Sequence, residues 1–284
     1  MEPQTTRAQA VRQLTETFGA AGLESPALDA RLLVCAGLEI DHAGLILRPD
    51  LPLGVQASVV QSYAQRRLAH EPVSRILGER EFWGLRFAVT PAVLDPRADS
   101  ETIVESALAC LDDRGRRWRI LDIGTGSGAL LAALLHELPQ ASGLGIDVSG
   151  EACKMARANL AQLGMATRAN VRHCNWDDLH GLGMDLIVSN PPYIEARAIA
   201  GLAPEVRLHD PMLALDGGAD GLAAYRGLMP VLARNLVPGG ASVLEIGAGQ
   251  AEDVCALAQA QGFAIIAQTP DLNQIVRAIS LRRH

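Results

Sequence analysis

The sequence has few of the features that mark membrane, secreted or nucleic-acid-binding proteins. Aromatic residues make up only 4% of its 284 residues, and the formal net charge is −7. Proteins that bind nucleic acids usually present aromatic rings to the bases and positive charge to the phosphates, and this composition favours neither contact. No run of 18 or more apolar residues occurs, and the first residues, MEPQTTRAQAVRQL, contain no apolar signal core. We therefore expect no membrane association and no stable complex with nucleic acid.

The cysteines are also few and scattered. None of the five forms a CxxC pair, and they are Cys35, Cys110, Cys153, Cys174 and Cys255. This pattern favours reduced, buried thiols in a cytoplasmic protein over a disulfide framework or a zinc site, so we expect no bound metal. A hydrophobic content of 49% allows a real core, and the length allows one large domain plus a small one.

The first 75 residues have helical spacing. Val11, Leu14 and Phe18 recur on one helical face, and Ser25 before Pro26 predicts an N-cap and a helix start. A third helical stretch runs from residue 52 to 70. We interpret residues 1–75 as a helical domain that recognises a substrate. Short apolar runs separated by Gly78 and Gly84 make residues 76–95 a connector that resembles a β-hairpin.

Residues 96–284 alternate apolar strands with amphipathic helices. This order predicts an α/β fold, a mainly parallel sheet covered by helices on both faces. The last two strands have no helix between them and should pair as an antiparallel hairpin. A basic cluster, Arg114, Arg116, Arg117 and Arg119, precedes the first strand, and we interpret it as a solvated turn.

A glycine-rich turn follows that first strand. LDIGTGSG places Gly124, Gly126 and Gly128 where backbone can approach a ligand without an intervening Cβ. The spacing differs from the GxGxxG pattern that receives a pyrophosphate. The carboxylate of Asp122 instead suits a cationic ligand such as the sulfonium and ammonium groups of S-adenosyl-L-methionine.

Two further strand ends carry candidate ligand contacts. Asp147 ends the second strand of this series, where an acid can accept both hydroxyls of a ribose. Trp176-Asp177 follows the third strand, where a residue would lie beside an adenine, either as a flat apolar surface or as an acceptor for its exocyclic amine.

The fourth strand ends in Asn190-Pro191-Pro192-Tyr193. The prolines stiffen the loop and remove two backbone donors, which leaves exposed carbonyls and the Asn190 side-chain oxygen as acceptors. These acceptors can hold the two N–H groups of a substrate NH2 group, with Tyr193 against a planar amide or base. Such a loop would act by positioning the nitrogen, without a strong base.

These motifs resemble those of the class I methyltransferases and, within them, the peptide chain release factor glutamine methyltransferases. The stretches PVSRILGEREFWGLRFAVTP, ILDIGTGSG, GIDVS, VSNPPYI, ALDGGADGLAAYR and LVPGGASVLEIG follow in that family's order. The resemblance covers nearly the whole chain. It implies a Rossmann-like seven-stranded sheet with a helical N-terminal domain.

The resemblance also implies a reaction and a set of site residues. The reaction is methylation, by S-adenosyl-L-methionine, of the glutamine amide in the Gly-Gly-Gln motif of release factors, with S-adenosyl-L-homocysteine as the other product. The cofactor side would be lined by Asp122, Gly124, Thr125, Gly126, Ser127, Gly128, Asp147, Trp176 and Asn190. The substrate would contact Asn190, Pro191, Pro192 and Tyr193. We expect a monomer.

Two segments depart from the family's pattern. Where the family has IPRPDTE, this chain has DPRADSE at 95–101, and EVRLHDP at 205–211 replaces EVRFEP. Both bear on how a protein substrate docks rather than on the chemistry.

Other functions stay open at this point. A ribosomal-protein glutamine methyltransferase would share the Asn-Pro-Pro-Tyr chemistry, although the EREFWG connector favours the release-factor branch. A DNA or RNA amino-methyltransferase should carry a basic groove. A binding protein without activity should have lost part of the glycine turn or of the loop, and both are intact.

Overall fold

The computed structural model of the protein describes residues 1–284. Its α-helices are α1 (Arg7–Ala20), α2 (Pro26–Gly37), α3 (His42–Leu47), α4 (Ala57–Leu68), α5 (Val73–Leu77), α6 (Glu101–Ala109), α7 (Ala129–Glu137), α8 (Gly150–Gln162), α9 (Pro204–His209), α10 (Met212–Leu215), α11 (Ala223–Asn235) and α12 (Ala251–Ala260). Short 3-10 helices cover Gly54–Gln56, Ala98–Ser100, Trp176–Asp178 and Ala196–Gly201. None of the helices combines the length and apolar character needed to cross a membrane.

The strands are β1 (Glu79–Phe82), β2 (Leu85–Ala88), β3 (Arg119–Ile123), β4 (Ser142–Asp147), β5 (Ala169–His173), β6 (Met184–Ser189), β7 (Leu236–Glu245), β8 (Phe263–Pro270) and β9 (Val276–Arg283). The chain divides into two units with separate cores. A helical unit comprises Met1–Glu79 and Pro204–His209, and a sheet unit comprises Arg80–Ala203 and Asp210–His284.

The helical unit packs apolar helix faces around Phe18, Leu33 and Val60, which are all fully buried. The predicted face of α1 is confirmed, since Leu14 and Phe18 are buried. Helix α2 begins at Pro26 as predicted.

Ser25 occupies the N-cap position of α2 as predicted, without the side-chain hydrogen bond that usually accompanies it. The Ser25 side chain makes no capping hydrogen bond, because its ψ of 56° lies outside the extended region that aims a hydroxyl at the first turn. Thr6 caps α1 instead, in a reciprocal capping box with Gln9.

A small hairpin-like sheet opens the sheet unit. Strands β1 and β2 form a two-stranded sheet, and Trp83 and Gly84 at its turn both have positive φ, 54° and 68°. Positive φ at both central residues is the backbone of a type I′ turn. The Trp83 backbone N–H donates to Glu101 and its indole N–H to Glu137, so the turn is held against α6 and α7.

The large sheet has the strand order β5-β4-β3-β6-β7-β9-β8. Five neighbouring strands, β5, β4, β3, β6 and β7, run parallel to one another, whereas β9 pairs antiparallel with both β7 and β8. The predicted parallel sheet with an antiparallel C-terminal hairpin is therefore confirmed.

Alternation along the strands divides the core into two layers. Ile120 and Leu186 pack against α6, α7 and α8 on one face, and Leu121 and Ile187 pack against α11 and α12 on the other. Burial of both faces by helices explains why these strands carry apolar residues on both faces.

Gly217 packs closely against the loop that follows β6, and a substitution at Gly217 tests this packing. A Cβ at this position would lie 2.8 Å from both the Tyr193 Cα and carbonyl carbon, and backbone cannot yield as a side chain can. We expect Gly217→Ala to lower the free energy of unfolding by about 1–3 kcal/mol, the usual cost of overpacking. Denaturant titration measures the change.

The matched control is Gly201→Ala, because a Cβ at Gly201 meets no atom within 4 Å. Its free energy of unfolding should stay within about 0.5 kcal/mol of the parent value. Equal stability of the two variants would contradict the packing described for Gly217.

Candidate active site

A cavity of the sheet unit lies where the strand order reverses between β3 and β6. It encloses about 530 Å³ at the carboxyl ends of β3, β4, β5 and β6. Such a reversal is where open α/β sheets bind ligands. Nine of the twelve predicted site residues line it, namely Gly124, Thr125, Gly126, Ser127, Asp147, Trp176, Asn190, Pro191 and Pro192.

The glycine turn is held to the end of β4 by backbone hydrogen bonds. The N–H groups of Gly124 and Thr125 both donate to the Ile146 carbonyl, each over 2.9 Å. The Gly126 N–H donates to Asp147 Oδ2 over 3.0 Å. Asn159, which is fully buried, donates from Nδ2 to the Ser127 carbonyl over 2.9 Å. The turn is therefore positioned before any ligand arrives.

The first two glycines leave room for a ligand. Gly124 and Gly126 have φ of 72° and 54°, and a Cβ at either position would meet no atom of the chain within 4 Å. Both glycines line the cavity, and the open space beside them is therefore part of it. Gly128 has a different role: its Cβ would lie 3.3 Å from Ala156 Cβ, so it permits close packing of α7 against α8.

Asp147 and Trp176 stand on the wall next to this turn. The two carboxylate oxygens of Asp147 accept from the N–H groups of Gly126 and Ser149, over 3.0 and 2.8 Å. Each oxygen keeps a further lone pair for a ligand hydroxyl. Trp176 is half-buried, and its ring lies beside α11, 3.6 Å from where a Gly227 Cβ would stand.

Asp122 lies behind the turn and is not among the cavity-lining residues. Its side chain is fully buried, and burial raises the pKa of this carboxyl to about 7. Thr125 Oγ1 donates to Asp122 Oδ2 over 2.6 Å. The structure thus gives Asp122 a contact with the turn, and direct contact with a cationic ligand stays a prediction.

The loop after β6 presents acceptors to the cavity. Asn190 Nδ2 donates to Ser100 Oγ over 3.2 Å, while Asn190 Oδ1 accepts no hydrogen bond from the chain. The prolines have no N–H, and no donor of the chain bonds to the Pro191 carbonyl. Two oxygens beside the cavity are therefore available to N–H donors.

Tyr193 lies at the end of this loop. It is not a lining residue, and its hydroxyl donates to Glu245 Oε1 over 3.3 Å. Burial raises the pKa of this phenol. Its carbonyl accepts from Gln250 Nε2 over 3.0 Å, which holds the end of the loop. An aromatic face against the substrate stays a prediction for this residue.

The sequence patterns gave no role to two residues that reach this site. Ser100 entered only as part of a variant segment, and Glu245 only as part of an apolar strand. Ser100 lines the cavity, and its hydroxyl donates to Glu245 Oε2 over 2.5 Å. Burial raises the pKa of Glu245 to about 6. The signal in the sequence that could have identified Glu245 is an acid inside the apolar strand pattern VLEIG.

The segments that depart from the family's pattern also reach the cavity. Asp95, Pro96 and Arg97 of the first segment and Pro211 of the second line its wall. Arg97 Nη2 forms an ion pair over 2.8 Å with Asp210, whose side chain is almost fully buried. Within the sheet unit, the two segments are therefore joined at the rim.

The predicted basic turn uses its arginines within the fold. Arg114 pairs with Glu137 over 3.0 Å and Arg116 with Asp185 over 3.5 Å, and the Arg116 guanidinium lies 4.2 Å from the centre of the Trp118 ring. These contacts agree with a solvated turn. No group of three or more His, Cys, Asp or Glu side chains is arranged to hold a metal ion.

Comparison with known proteins places these features in a family. Residues 9–78 match the model of the PrmC N-terminal domain, and residues 101–207 match that of the methyltransferase small domain. A release factor glutamine methyltransferase of Bradyrhizobium diazoefficiens is 48% identical over 96% of this chain and 93% of its own. One of Caulobacter vibrioides is 43% identical over 91% and 90%. The chain belongs to the release factor glutamine methyltransferase family.

Membership in this family makes the protein a methyltransferase, as the motifs predicted. A solved structure, the ribosomal protein L11 methylase of Lactobacillus delbrueckii subsp. bulgaricus, has a TM-score of 0.50 and 20% identity over 68% of this chain and 83% of its own. At that identity it supports the fold alone.

The raised pKa of Asp122 predicts a pH-dependent stability. A carboxyl whose folded-state pKa lies above its unfolded value favours folding at low pH, and that contribution is lost as the pH rises through about 7. Asp122→Asn keeps the shape and an acceptor for Thr125 but cannot ionise. We expect the variant to exceed the parent in unfolding free energy by about 1–4 kcal/mol at pH 8, since one pKa unit is about 1.4 kcal/mol.

Urea titrations between pH 5 and pH 8 measure this effect. The exposed acid Asp177 supplies the control, because Asp177→Asn should leave the pH profile of stability unchanged. Parallel profiles for the parent and Asp122→Asn would show that Asp122 does not titrate in this range.

Proposed function

We propose that the protein transfers a methyl group from S-adenosyl-L-methionine to the side-chain amide nitrogen of the glutamine in the Gly-Gly-Gln motif of peptide chain release factors. One observation carries this proposal: the glycine turn and the Asn190-Pro191 acceptors face one cavity at the strand reversal. Membership in the release factor glutamine methyltransferase family supports the choice of substrate.

The cavity wall fits S-adenosyl-L-methionine on its cofactor side. The open space beside Gly124 and Gly126 accepts a chain that runs close to the backbone. Asp147 can accept ribose hydroxyls, and Trp176 offers a flat apolar surface to the adenine. S-adenosyl-L-methionine, when bound, supplies a methyl group on a positively charged sulfur.

The substrate side is proposed to work by alignment. Asn190 Oδ1 and the Pro191 carbonyl accept the two N–H groups of the glutamine amide, which aims the nitrogen lone pair at the methyl group. The same oxygens stabilise the positive charge that grows on nitrogen. The surplus proton leaves to solvent after transfer, so the chain needs no catalytic base at this point.

The remaining parts of the proposal concern the partner and the organisation of the chain. We propose residues 1–75 as the domain that recognises the release factor, residues 76–95 as the connector and residues 96–284 as the catalytic domain. Contacts remote from the glutamine would supply the binding energy that places its amide. We propose that the enzyme acts as a cytoplasmic monomer without bound nucleic acid.

Asp147 tests the cofactor side. Asp147→Ala removes a charged acceptor and also frees the Gly126 N–H, so affinity for S-adenosyl-L-methionine should fall by about 1–3 kcal/mol. Isothermal titration calorimetry measures the affinity, and circular dichroism checks the fold. Asp112→Ala, at an exposed acid in the turn before β3 and outside the cavity, is the matched control and should bind normally. Parental affinity in a folded Asp147→Ala variant would contradict the assignment.

The substrate assignment is tested by the destination of the methyl group. Purified enzyme is incubated with methyl-labelled cofactor and, separately, with a release factor, ribosomal proteins, DNA or RNA. Label should appear on the release-factor glutamine, and a release factor with Gln→Ala in that motif should take none. Asn190→Ala should lower turnover at least about 100-fold while cofactor affinity changes far less, because alignment of the nitrogen is lost.

Label on ribosomal protein or nucleic acid, with none on the release factor, would overturn the proposed substrate. Parental single-turnover rates in Asn190→Ala would overturn the proposed role of Asn190.

A further inference from the structure

A buried chain of hydrogen bonds lies behind the Asn190 side chain. Asn190 Nδ2 donates to Ser100 Oγ over 3.2 Å, and the Ser100 hydroxyl donates to Glu245 Oε2 over 2.5 Å. Tyr193 donates to the other carboxylate oxygen over 3.3 Å. Ser100 is 5% exposed and Glu245 2% exposed, so water does not replace these partners.

The number of hydrogens in this chain fixes its direction. A serine hydroxyl has one hydrogen, and Ser100 gives that hydrogen to the Glu245 carboxylate. The Ser100 oxygen can then only accept, so a neighbouring amide must turn its NH2 group toward it. A side-chain amide has two orientations that differ by exchange of oxygen and nitrogen. Only the orientation that directs Asn190 Oδ1 away from Ser100 satisfies this chain.

We propose that Ser100 and Glu245 are positioning residues that fix the orientation of the Asn190 amide, so that this side chain presents an oxygen acceptor, and not an NH2 donor, to the substrate. The inference rests on the proposed function, in which Asn190 accepts from the substrate amide. It explains a specificity: the site selects a nitrogen that carries hydrogens and rejects a carboxylate or carbonyl oxygen, which would need a donor.

The charges around Glu245 make this orientation depend on pH. Arg277 on β9 stabilises the carboxylate, and Asp99, before α6, opposes it. Burial outweighs these and sets the pKa of Glu245 near 6. Below that pH a protonated Glu245 can donate to Ser100, and the Ser100 hydrogen becomes free to donate to Asn190 Oδ1. The inverted chain would turn the Asn190 NH2 group toward the substrate.

The experiment measures kcat/KM for a release factor from pH 5 to pH 8 in the parent enzyme and in Ser100→Ala, Ser100→Thr and Glu245→Gln. Ser106→Ala is the matched control, since Ser106 is equally buried, lies on α6 directly after Ser100, and its hydroxyl bonds to Thr269 over 2.9 Å. Side-chain amide NMR of the enzyme without ligands, with Asn190 assigned by its loss in Asn190→Ala, gives a readout independent of activity.

For the parent enzyme we expect kcat/KM to fall as the pH drops through about 6, and the Asn190 amide resonances to titrate at the same midpoint. Ser100→Ala and Glu245→Gln should lose roughly tenfold in kcat/KM at pH 8 and lack that pH limb, since misplacing one positioning group has effects of this order. Ser100→Thr, which keeps the hydroxyl, should stay within about twofold. All variants should bind S-adenosyl-L-methionine within about twofold of the parent.

Ser106→Ala should lose stability without losing kcat/KM or changing the pH profile. Parental kcat/KM and an unchanged pH limb in Ser100→Ala would overturn the inference, even if Glu245→Gln fails to fold. An equal loss in Ser106→Ala would also overturn it, because the effect would then be general to buried serines in this part of the chain. Failure of the parent enzyme to methylate the release factor would instead count against the proposed function.

Discussion

The reversal of strand order between β3 and β6 is the constraint on which the rest of the site depends. Helices leave neighbouring strands in opposite directions there, so no helix covers the carboxyl ends of β3 and β6. The turn after β3 and the loop after β6 consequently face each other across one cavity. Neither segment could form this site alone, because one supplies open backbone and the other supplies rigid acceptors.

Three acids then keep these irregular segments in place. Asp122 bonds to Thr125, Asp147 bonds to Gly126, and Glu245 bonds to Ser100. Asp122 and Glu245 are buried and their pKa values are raised, which shows that burial opposes their charge. Asp147 is half-exposed and keeps lone pairs for a ligand. The buried acids thus serve the loops, and the acid at the cavity wall is the one suited to direct contact.

The fold class could be predicted from the sequence, and nine of the twelve predicted site residues line the cavity, because both follow from local patterns. Apolar strands before LDIGTGSG and NPPY fix which loops lie at the carboxyl ends of strands, whatever the details of packing. The hydrogen bonds of Tyr193 and Ser100 to Glu245 join residues that lie 52 and 145 positions apart. No local pattern encodes such pairs. The missing side-chain hydrogen bond at Ser25 has a local cause: serine suits the N-cap position, but its backbone angle ψ does not.

The acceptor pair explains the chemistry more completely than it explains the choice of substrate. Asn190 Oδ1 and the Pro191 carbonyl would accept the amino group of an adenine as well as the amide of a glutamine, since both present two N–H groups. A site that aligns by hydrogen bonds therefore distinguishes nitrogen from oxygen but not amide from base. Discrimination between a glutamine amide and a base must therefore come from contacts far from the reacting nitrogen. The binding energy of those contacts favours the reaction only if they form when the amide is aligned. The acidic chain, with a net charge of −7, gives a nucleic acid little of that energy, whereas a protein can supply it through complementary surface.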